Sequence, residues 1–206
     1  MADKKAKDVE VTAYVDTLPN LVRLGLTKEV EDVLKERFEK SLPDKIMRYG
    51  KLPYLLIQFG PFTSLLREVR NLYVEGFYRA AVALCGMTVE ALCITIAMQR
   101  VNDDKPLKKQ LTDSSEWCRR KIDPLKKYLR IAKSASLLHC VLDIRKQYVH
   151  LHKTRVLPED VLECINMLHL IVIAEYGLVP AKKGKVQPPT EEYIHQLARD
   201  MKLRFE

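Results

Sequence analysis

The chain has 206 residues, of which 47% are hydrophobic and 30% charged, and a formal net charge of +8 at pH 7. This length and composition fit one folded domain with an appended element, and they exclude a disordered chain. The positive charge favours an anionic partner such as nucleic acid, although a basic but inert surface gives the same composition.

The cysteines predict free thiols rather than a disulfide framework or a zinc site, because their number is odd and no Cys-x-x-Cys pair occurs. The five are Cys85, Cys93, Cys118, Cys140 and Cys164. Buried free thiols indicate a reducing compartment, and no signal-peptide pattern follows Met1. Because Arg79 and Glu90 interrupt the apolar stretch 77–98, no membrane span is expected. We therefore expect a cytoplasmic protein without a metal or cofactor.

Residues 1–57 are predicted to form an N-terminal extension with one amphipathic helix. Alternating residues over 9–15 favour an extended segment. Thr27 is expected to cap a helix that ends near Ser41, before Pro43.

Residues 58–180 are predicted to form a helical bundle. Pro61 suits the first position of a helix that ends at Gly76. The apolar central helix should then run to about Val101, and 102–106 reads as a turn.

The second half of this bundle has equally clear helix signals. A capping box at 113–116 should open a helix that is broken near Pro124. Ser134 or Ser136 should start the next helix, and Pro158 should start the last one.

The C-terminal segment, 181–206, is predicted to contain a basic linker over 181–189 and a final amphipathic helix capped by Thr190. No repeat and no sheet are expected. The predicted fold class is therefore all-α, an up-and-down helical bundle with flanking N- and C-terminal helices.

Acid–base and phosphate-binding side chains cluster in the segment 144–152. Arg145 offers a permanent charge and a fork of donors, and His150 can exchange a proton near neutral pH. Together they could act on a phosphodiester without a metal. The alternative is structural, since an arginine and a histidine near a helix end often bind backbone carbonyls.

The order of motifs resembles the HEPN superfamily. Residues 72–84 lead into Thr88-Val89-Glu90-Ala91-Leu92, which is similar to the second-helix signature of that superfamily. The segment 145–150 matches its Arg-x-x-x-x-His motif, and a long apolar helix follows. The resemblance covers about residues 60 to 180 and is greatest for the single-domain bacterial and archaeal branch.

The resemblance implies a homodimer in which Arg-His pairs of two protomers meet in a cleft and cleave RNA without metal. If the roles of the family motif apply to this chain, His150 would be the general acid/base, and Arg145 would bind the phosphate and stabilise the transition state. We therefore expect a metal-independent endoribonuclease of a defence or stress system, whose partner is RNA or a nucleotide. The alternatives are a non-catalytic binding module for RNA or a nucleotide, and a protein-interaction or dimerisation scaffold.

This chain differs from the family pattern at two positions. Lys146 stands where a small polar residue is usual, and it favours the binding module. Gly86 stands near the position of a common arginine. Two further residues have open roles: Glu90 could orient Arg145 or face solvent, and Tyr148 could stack on a base or belong to the core or an interface.

The choice between His150 and His152 depends on the backbone. On a continuous α-helix, His152 would lie within about 20° of Arg145, whereas His150 would lie about 140° away. His152 is thus the alternative partner, or else a solvated side chain. We choose His150 for two reasons. Two facing protomers can supply the missing rotation between Arg145 and His150. A helix break before Arg145, capped by Asp143, would also place Arg145 at the start of a helix.

Overall fold

Helices make up almost all of the described structure. The computed structural model describes residues 28–53, 61–113, 118–149, 155–177, 179–180 and 186–203. The only strands within these ranges form one short antiparallel pair, β1 (Val179–Pro180) with β2 (Val186–Gln187). The expected all-α fold class is therefore confirmed. The chain divides into two compact units, Met1–Asp44 and Lys45–Glu206.

Eight α-helices lie in the described ranges. They are α1 (Lys28–Gly50), α2 (Pro61–Glu75), α3 (Tyr78–Arg100), α4 (Lys105–Thr112), α5 (Cys118–Leu125), α6 (Lys133–Val149), α7 (Pro158–Tyr176) and α8 (Glu191–Asp200). A 3₁₀ turn, Lys126–Tyr128, follows α5. Helices α2, α3, α6 and α7 pack together as a bundle, while α4 and α5 lie against α3, and α8 lies against α7.

The bundle helices alternate in direction. Gly76 reverses the chain between α2 and α3, and its φ of 85° is one that residues with a Cβ rarely adopt. The N–H of Phe77 donates to the carbonyl of Leu72 at 2.8 Å and closes this turn. At the other end of α3, Arg100 meets the end of α7 at Glu175, so α3 and α7 run in the same direction.

The central helix α3 supplies much of the core. Its buried side chains include Ala81, Val82, Cys85, Val89, Leu92, Cys93, Ile96 and Ala97. By length and composition α3 is the one helix in the described ranges that could cross a membrane. Most of its apolar stretch is buried against the other bundle helices, as in the core helix of a globular bundle.

Most of the predicted helix ends are confirmed. Pro61 and Pro158 begin α2 and α7, α3 ends before Val101, and α6 begins one residue before Ser134. Thr190 caps α8, since its Oγ1 accepts a hydrogen bond from the N–H of Tyr193 at 3.2 Å. The predictions for 9–15, for Thr27, for most of the capping box and for 181–185 fall outside the described residues.

Two helices differ from the sequence prediction. The expected stop at Pro43 is wrong, because α1 continues to Gly50. Beyond Pro43, α1 is held by an ion pair of Lys45 with Glu75 at 2.7 Å and a hydrogen bond from Arg48 to the carbonyl of Val74 at 2.7 Å. These contacts compensate for the hydrogen bond that the proline removes.

The predicted turn over 102–106 instead contains the start of α4. The side chain of Asp104 accepts a hydrogen bond from the N–H of Leu107 at 2.9 Å, and Pro106 stands in the first turn. An aspartate followed by a proline in the first turn is a helix-start pattern. By contrast, α5 ends at Leu125, one residue beyond Pro124, and a 3₁₀ turn follows, so the predicted break near Pro124 is confirmed.

A buried carboxylate joins three helices at one end of the bundle. Glu175 in α7 is completely buried, and it pairs with Arg100 of α3 at 2.5 Å. It also accepts hydrogen bonds from the hydroxyl of Ser134 at 2.6 Å and the N–H of Arg130 at 2.9 Å, at the start of α6. Arg100 donates to the carbonyl of Tyr128 at 2.9 Å as well. The end of α3, the start of α6 and the end of α7 are thus tied together.

We predict that Glu175→Gln lowers the free energy of unfolding by about 3 kcal/mol, because it leaves Arg100 without its counter-charge. Urea denaturation followed by circular dichroism measures this loss. Glu163→Gln, a half-buried glutamate on the same helix, should change stability by less than about 0.5 kcal/mol. Equal losses in the two variants would contradict the role assigned to Glu175.

The buried His169 should make the free energy of unfolding depend on pH. Burial, and then the charge of Arg70, lowers the pKa of His169 from 6.5 to about 4. The unfolded chain binds this proton near pH 6.5 and the folded chain only near pH 4, so stability is lost as the pH falls through this window. We expect this one group to account for a loss of about 3 kcal/mol. Urea denaturation at several pH values should show a flatter dependence for His169→Leu, whereas exposed His195→Gln should follow the wild type.

Candidate functional site

Arg145 lies near the end of α6, where that helix packs against α3 and α5. The helix runs without interruption from Lys133 to Val149, so the expected break before Arg145 is wrong. Asp143 does not cap a new helix, because its carboxylate pairs with Arg119 of α5. The continuous backbone gives the Arg145 side chain a fixed direction towards α3.

Gly86 of α3 provides the space in which the Arg145 side chain lies. A Cβ at position 86 would stand 3.2 Å from Cζ of Arg145 and much closer to its Cδ. Real side chains do not make contacts that short, so any other residue at position 86 would displace the arginine. Gly86, which drew attention in the sequence only as a departure from a family pattern, therefore positions Arg145.

Arg145 is a half-buried cation that has no counter-ion among the residues described by the structure. Its Nε is buried and has no hydrogen-bond partner among the residues that the structure describes. None of the carboxylates in the described ranges forms an ion pair with it. A guanidinium in a partly dry setting gains more from an added anion than an exposed one does. This arrangement fits the recognition of an anionic group such as a phosphate.

Glu90 faces a buried lysine instead of Arg145. Its carboxylate Oε1 lies 3.6 Å from Nζ of Lys121 in α5, and the Lys121 side chain is 1% exposed. Lys121 also donates a hydrogen bond to the carbonyl of Asp113. Nothing in the order of the sequence pairs α5 with the middle of α3, so sequence reasoning missed Lys121.

Two thiols share this junction of α3, α5 and α6. The interaction between Cys93 and Cys118 lowers the pKa of Cys118 and raises the pKa of Cys93. Burial and the negative charge of Glu90 oppose the effect at Cys118, whereas the positive charges of Lys121 and Arg145 add to it. The lowered pKa of Cys118 therefore comes first from its interaction with Cys93, and the two cations add smaller contributions.

The other predicted site residues are spread over the same end of α6. Tyr148 is completely buried, and its hydroxyl donates a hydrogen bond to the carboxylate of Asp160 in α7. Of the two roles expected for Tyr148, its position is that of a core residue. Lys146 is exposed. His150 and His152 follow directly in the chain but lie outside the described residues. The structure thus brings Arg145 beside Gly86 and Cys118, while it places Tyr148 in the core.

Metal-binding side chains do not cluster in the part of the chain that the structure describes. No group of three or more His, Cys, Asp or Glu side chains there could hold a metal ion. The charged and sulfur-bearing groups at the junction are a guanidinium, an ammonium, the carboxylate of Glu90 and two thiols. A positive site of this kind attracts an anion rather than a cation.

Comparison with known proteins adds no family assignment. No family model, no curated protein and no solved structure matches this chain. The assignment of chemistry to the site therefore depends on the contacts around Arg145.

We predict that Gly86→Ala lowers the free energy of unfolding by about 1–2 kcal/mol, because the new Cβ displaces Arg145. In an Arg145→Ala background the same change should raise stability by up to about 1 kcal/mol, because alanine favours a helix over glycine. A double-mutant cycle by urea denaturation measures the difference. Pairing Gly86→Ala with Arg119→Ala is the control, and it should give additive effects. Additivity with Arg145→Ala would refute the contact.

Proposed function

We propose that this protein is a HEPN-like, metal-independent endoribonuclease in which Arg145 binds the scissile phosphate and His150 transfers protons. The observation that carries the proposal is the half-buried guanidinium of Arg145, which has no carboxylate partner in the described ranges. The net charge of +8 supports an RNA partner.

Arg145 is suited to hold a phosphate because its surroundings fix it. Gly86 gives its side chain room on one side, and α6 is anchored by the hydrogen bond from Tyr148 to Asp160 one turn later. A donor that is already oriented stabilises developing negative charge without further reorganisation. Arg145 would therefore stabilise the pentacoordinate phosphate better than an exposed, mobile arginine.

The proposed reaction needs no group beyond the RNA and the protein. The ribose 2′-hydroxyl attacks the adjacent phosphorus, and the bond from phosphorus to the 5′ oxygen breaks. One histidine accepts the 2′ proton, and a second, protonated histidine gives a proton to the leaving 5′ oxygen. Two protomers facing each other would supply His150 twice. The products are a 2′,3′-cyclic phosphate and a 5′-hydroxyl.

The dimer is a separate part of the proposal, and it has its own test. One chain carries one Arg-His motif, so a cleft with two motifs needs two copies. We expect size exclusion with light scattering to give twice the chain mass at micromolar concentration. A monomer under these conditions would exclude the shared cleft.

The second candidate is a cytoplasmic RNA- or nucleotide-binding module without catalysis. Exposed Lys146 next to Arg145 favours it, because an added cation strengthens phosphate binding but transfers no proton at neutral pH. In this case Arg145 would bind the phosphate and neither histidine would be required.

The test is cleavage of a fluorescent single-stranded RNA in EDTA, with binding measured by anisotropy. We expect Arg145→Ala to lose binding and cleavage, and His150→Ala to keep binding while its rate falls about 100-fold or more. If only His152→Ala is inactive, His152 is the general acid/base. Binding without cleavage by the wild type would establish the second candidate.

The controls separate the charge of Arg145 from its shape and from total charge. Arg199→Ala removes the same charge from an exposed position on α8 and should leave cleavage unchanged. Arg145→Lys keeps the charge but loses the forked donors, so it should bind RNA more weakly than the wild type. Urea denaturation of each variant confirms that it is folded. Equal RNA binding by Arg145→Ala and Arg199→Ala would reject the site.

A further inference from the structure

We propose that the exposed face of α5 and of the turn after it holds the phosphate backbone of single-stranded RNA beside Arg145. This basic track consists of Arg120, Lys127 and Arg130. The inference rests on the proposed function, because it assigns the surface that would hold the RNA next to the phosphate bound by Arg145. It is supported by a local excess of positive charge, by the lack of acidic partners for the track, and by the direction in which α5 runs along α6.

Positive charge is concentrated in the segment 118–130. This segment contains one acid, Asp123, and six basic residues, which are Arg119, Arg120, Lys121, Lys126, Lys127 and Arg130. The whole chain, by comparison, has 35 basic and 27 acidic residues. A surface with a large local excess of positive charge attracts a polyanion and holds it by its phosphates. The net positive charge of the chain is therefore not spread evenly but has a place where RNA would bind.

The track differs from the other cations of this segment because no acid neutralises it. The other three cations each pair with a carboxylate: Lys126 with Asp123, Arg119 with Asp143, and Lys121 with Glu90. Arg120, Lys127 and Arg130 are exposed, and none of them forms an ion pair with a carboxylate in the described ranges. The ammonium of Lys127 lies 4.9 Å from the centre of the Tyr128 ring, a contact that orients the side chain but leaves its charge in place.

Two contacts show that α5 runs antiparallel to α6 and starts beside Arg145. Arg119 in the first turn of α5 pairs with Asp143, two residues before Arg145. One turn further along α5, Asp123 lies 3.4 Å from His139, which is one turn further back along α6. The segment that carries the track therefore leads away from Arg145 towards the start of α6.

The spacing of the track fits a polymer of phosphates better than a single anion. Arg120 and Lys127 lie on faces of the helix within about 20° of each other and about 10 Å apart along it, and Arg130 follows after the turn. A strand whose reacting phosphate lies on Arg145 would place the phosphates that follow on these cations. Because contacts to phosphates carry no sequence information, the track would add affinity for RNA without selecting its bases.

The experiment measures binding of a fluorescent single-stranded RNA of about 12 nucleotides by anisotropy at several salt concentrations. The triple variant Arg120→Ala, Lys127→Ala, Arg130→Ala should bind more weakly than the wild type. Its slope of log affinity against log salt should be smaller by about 2, which corresponds to three lost phosphate contacts on a single strand. Arg120→Ala alone should lower the slope by about 0.7, a result that does not depend on the triple variant being folded.

The matched control removes three exposed cations that lie outside α5 and the turn after it. Lys51→Ala, Arg67→Ala and Arg199→Ala together should keep the wild-type slope. Arg120→Lys with Arg130→Lys keeps every charge and should bind RNA as the wild type does, since the track acts by charge. Urea denaturation confirms that each variant is folded.

The outcomes separate the track from the proposed function. Equal slopes in the track variant and in the matched control, with RNA binding that still requires Arg145, would overturn the track and leave the proposed function standing. A wild-type protein that binds no RNA would overturn both.

An anionic membrane is the other polyanionic surface that the track could contact. The wild type and the track variant are therefore also sedimented with vesicles of phosphatidylserine and phosphatidylcholine in equal parts. We expect the three substitutions to weaken binding of the RNA. Loss of vesicle binding in the track variant with unchanged RNA binding would overturn the proposal and assign the track to a membrane surface.

Discussion

The buried carboxylate of Glu175 is the interaction on which the arrangement of the bundle depends. A carboxylate without water is stable only where donors and a positive charge surround it. Here Arg100 supplies the charge from the end of α3, while Arg130 and Ser134 supply donors from the start of α6. The charge and the donors reach Glu175 together only when α3, α6 and α7 are arranged as they are here. The buried charge therefore fixes the relative positions of these helices more strictly than apolar packing alone would.

The position of Arg145 follows from this anchor. From Ser134 to Arg145 the chain is continuous helix, about 16 Å of rigid rise, so fixing the start of α6 also fixes its far end. There the arginine side chain meets α3 at the residue that lacks a Cβ, Gly86. The hydrogen bond from Tyr148 to Asp160 then ties the last turn of α6 to the first turn of α7. Arg145, which has no carboxylate partner in the described part of the chain, thus lies between contacts with α3 on one side and α7 on the other.

One electrostatic feature of this junction underlies the proposed function. Lys121 and Arg145 contribute two positive charges to this junction, and within the described ranges the only acid that pairs with either is Glu90, which pairs with Lys121. The excess charge attracts an added anion and also favours the thiolate of Cys118. An RNA phosphate and a thiolate are alternative ways of compensating the same charge.

Local signals in the sequence determined the all-α class and most helix ends, because Pro61, Gly76, Pro158 and Thr190 act through their own backbone or side chain within one turn. The start of α4 is also a local signal, an aspartate at position 104 that caps the helix, although the sequence prediction places a turn there.

Tertiary contacts decided the rest. Helix α1 passes Pro43 because residues beyond it bind the bundle, and Glu90 faces Lys121 because α5 packs on α3. The meeting of Gly86 with Arg145 joins residues far apart in the chain, and no local pattern encodes such a contact. Sequence periodicity identifies which face of a helix is buried, but the partner of that face is set by the packing of the whole bundle.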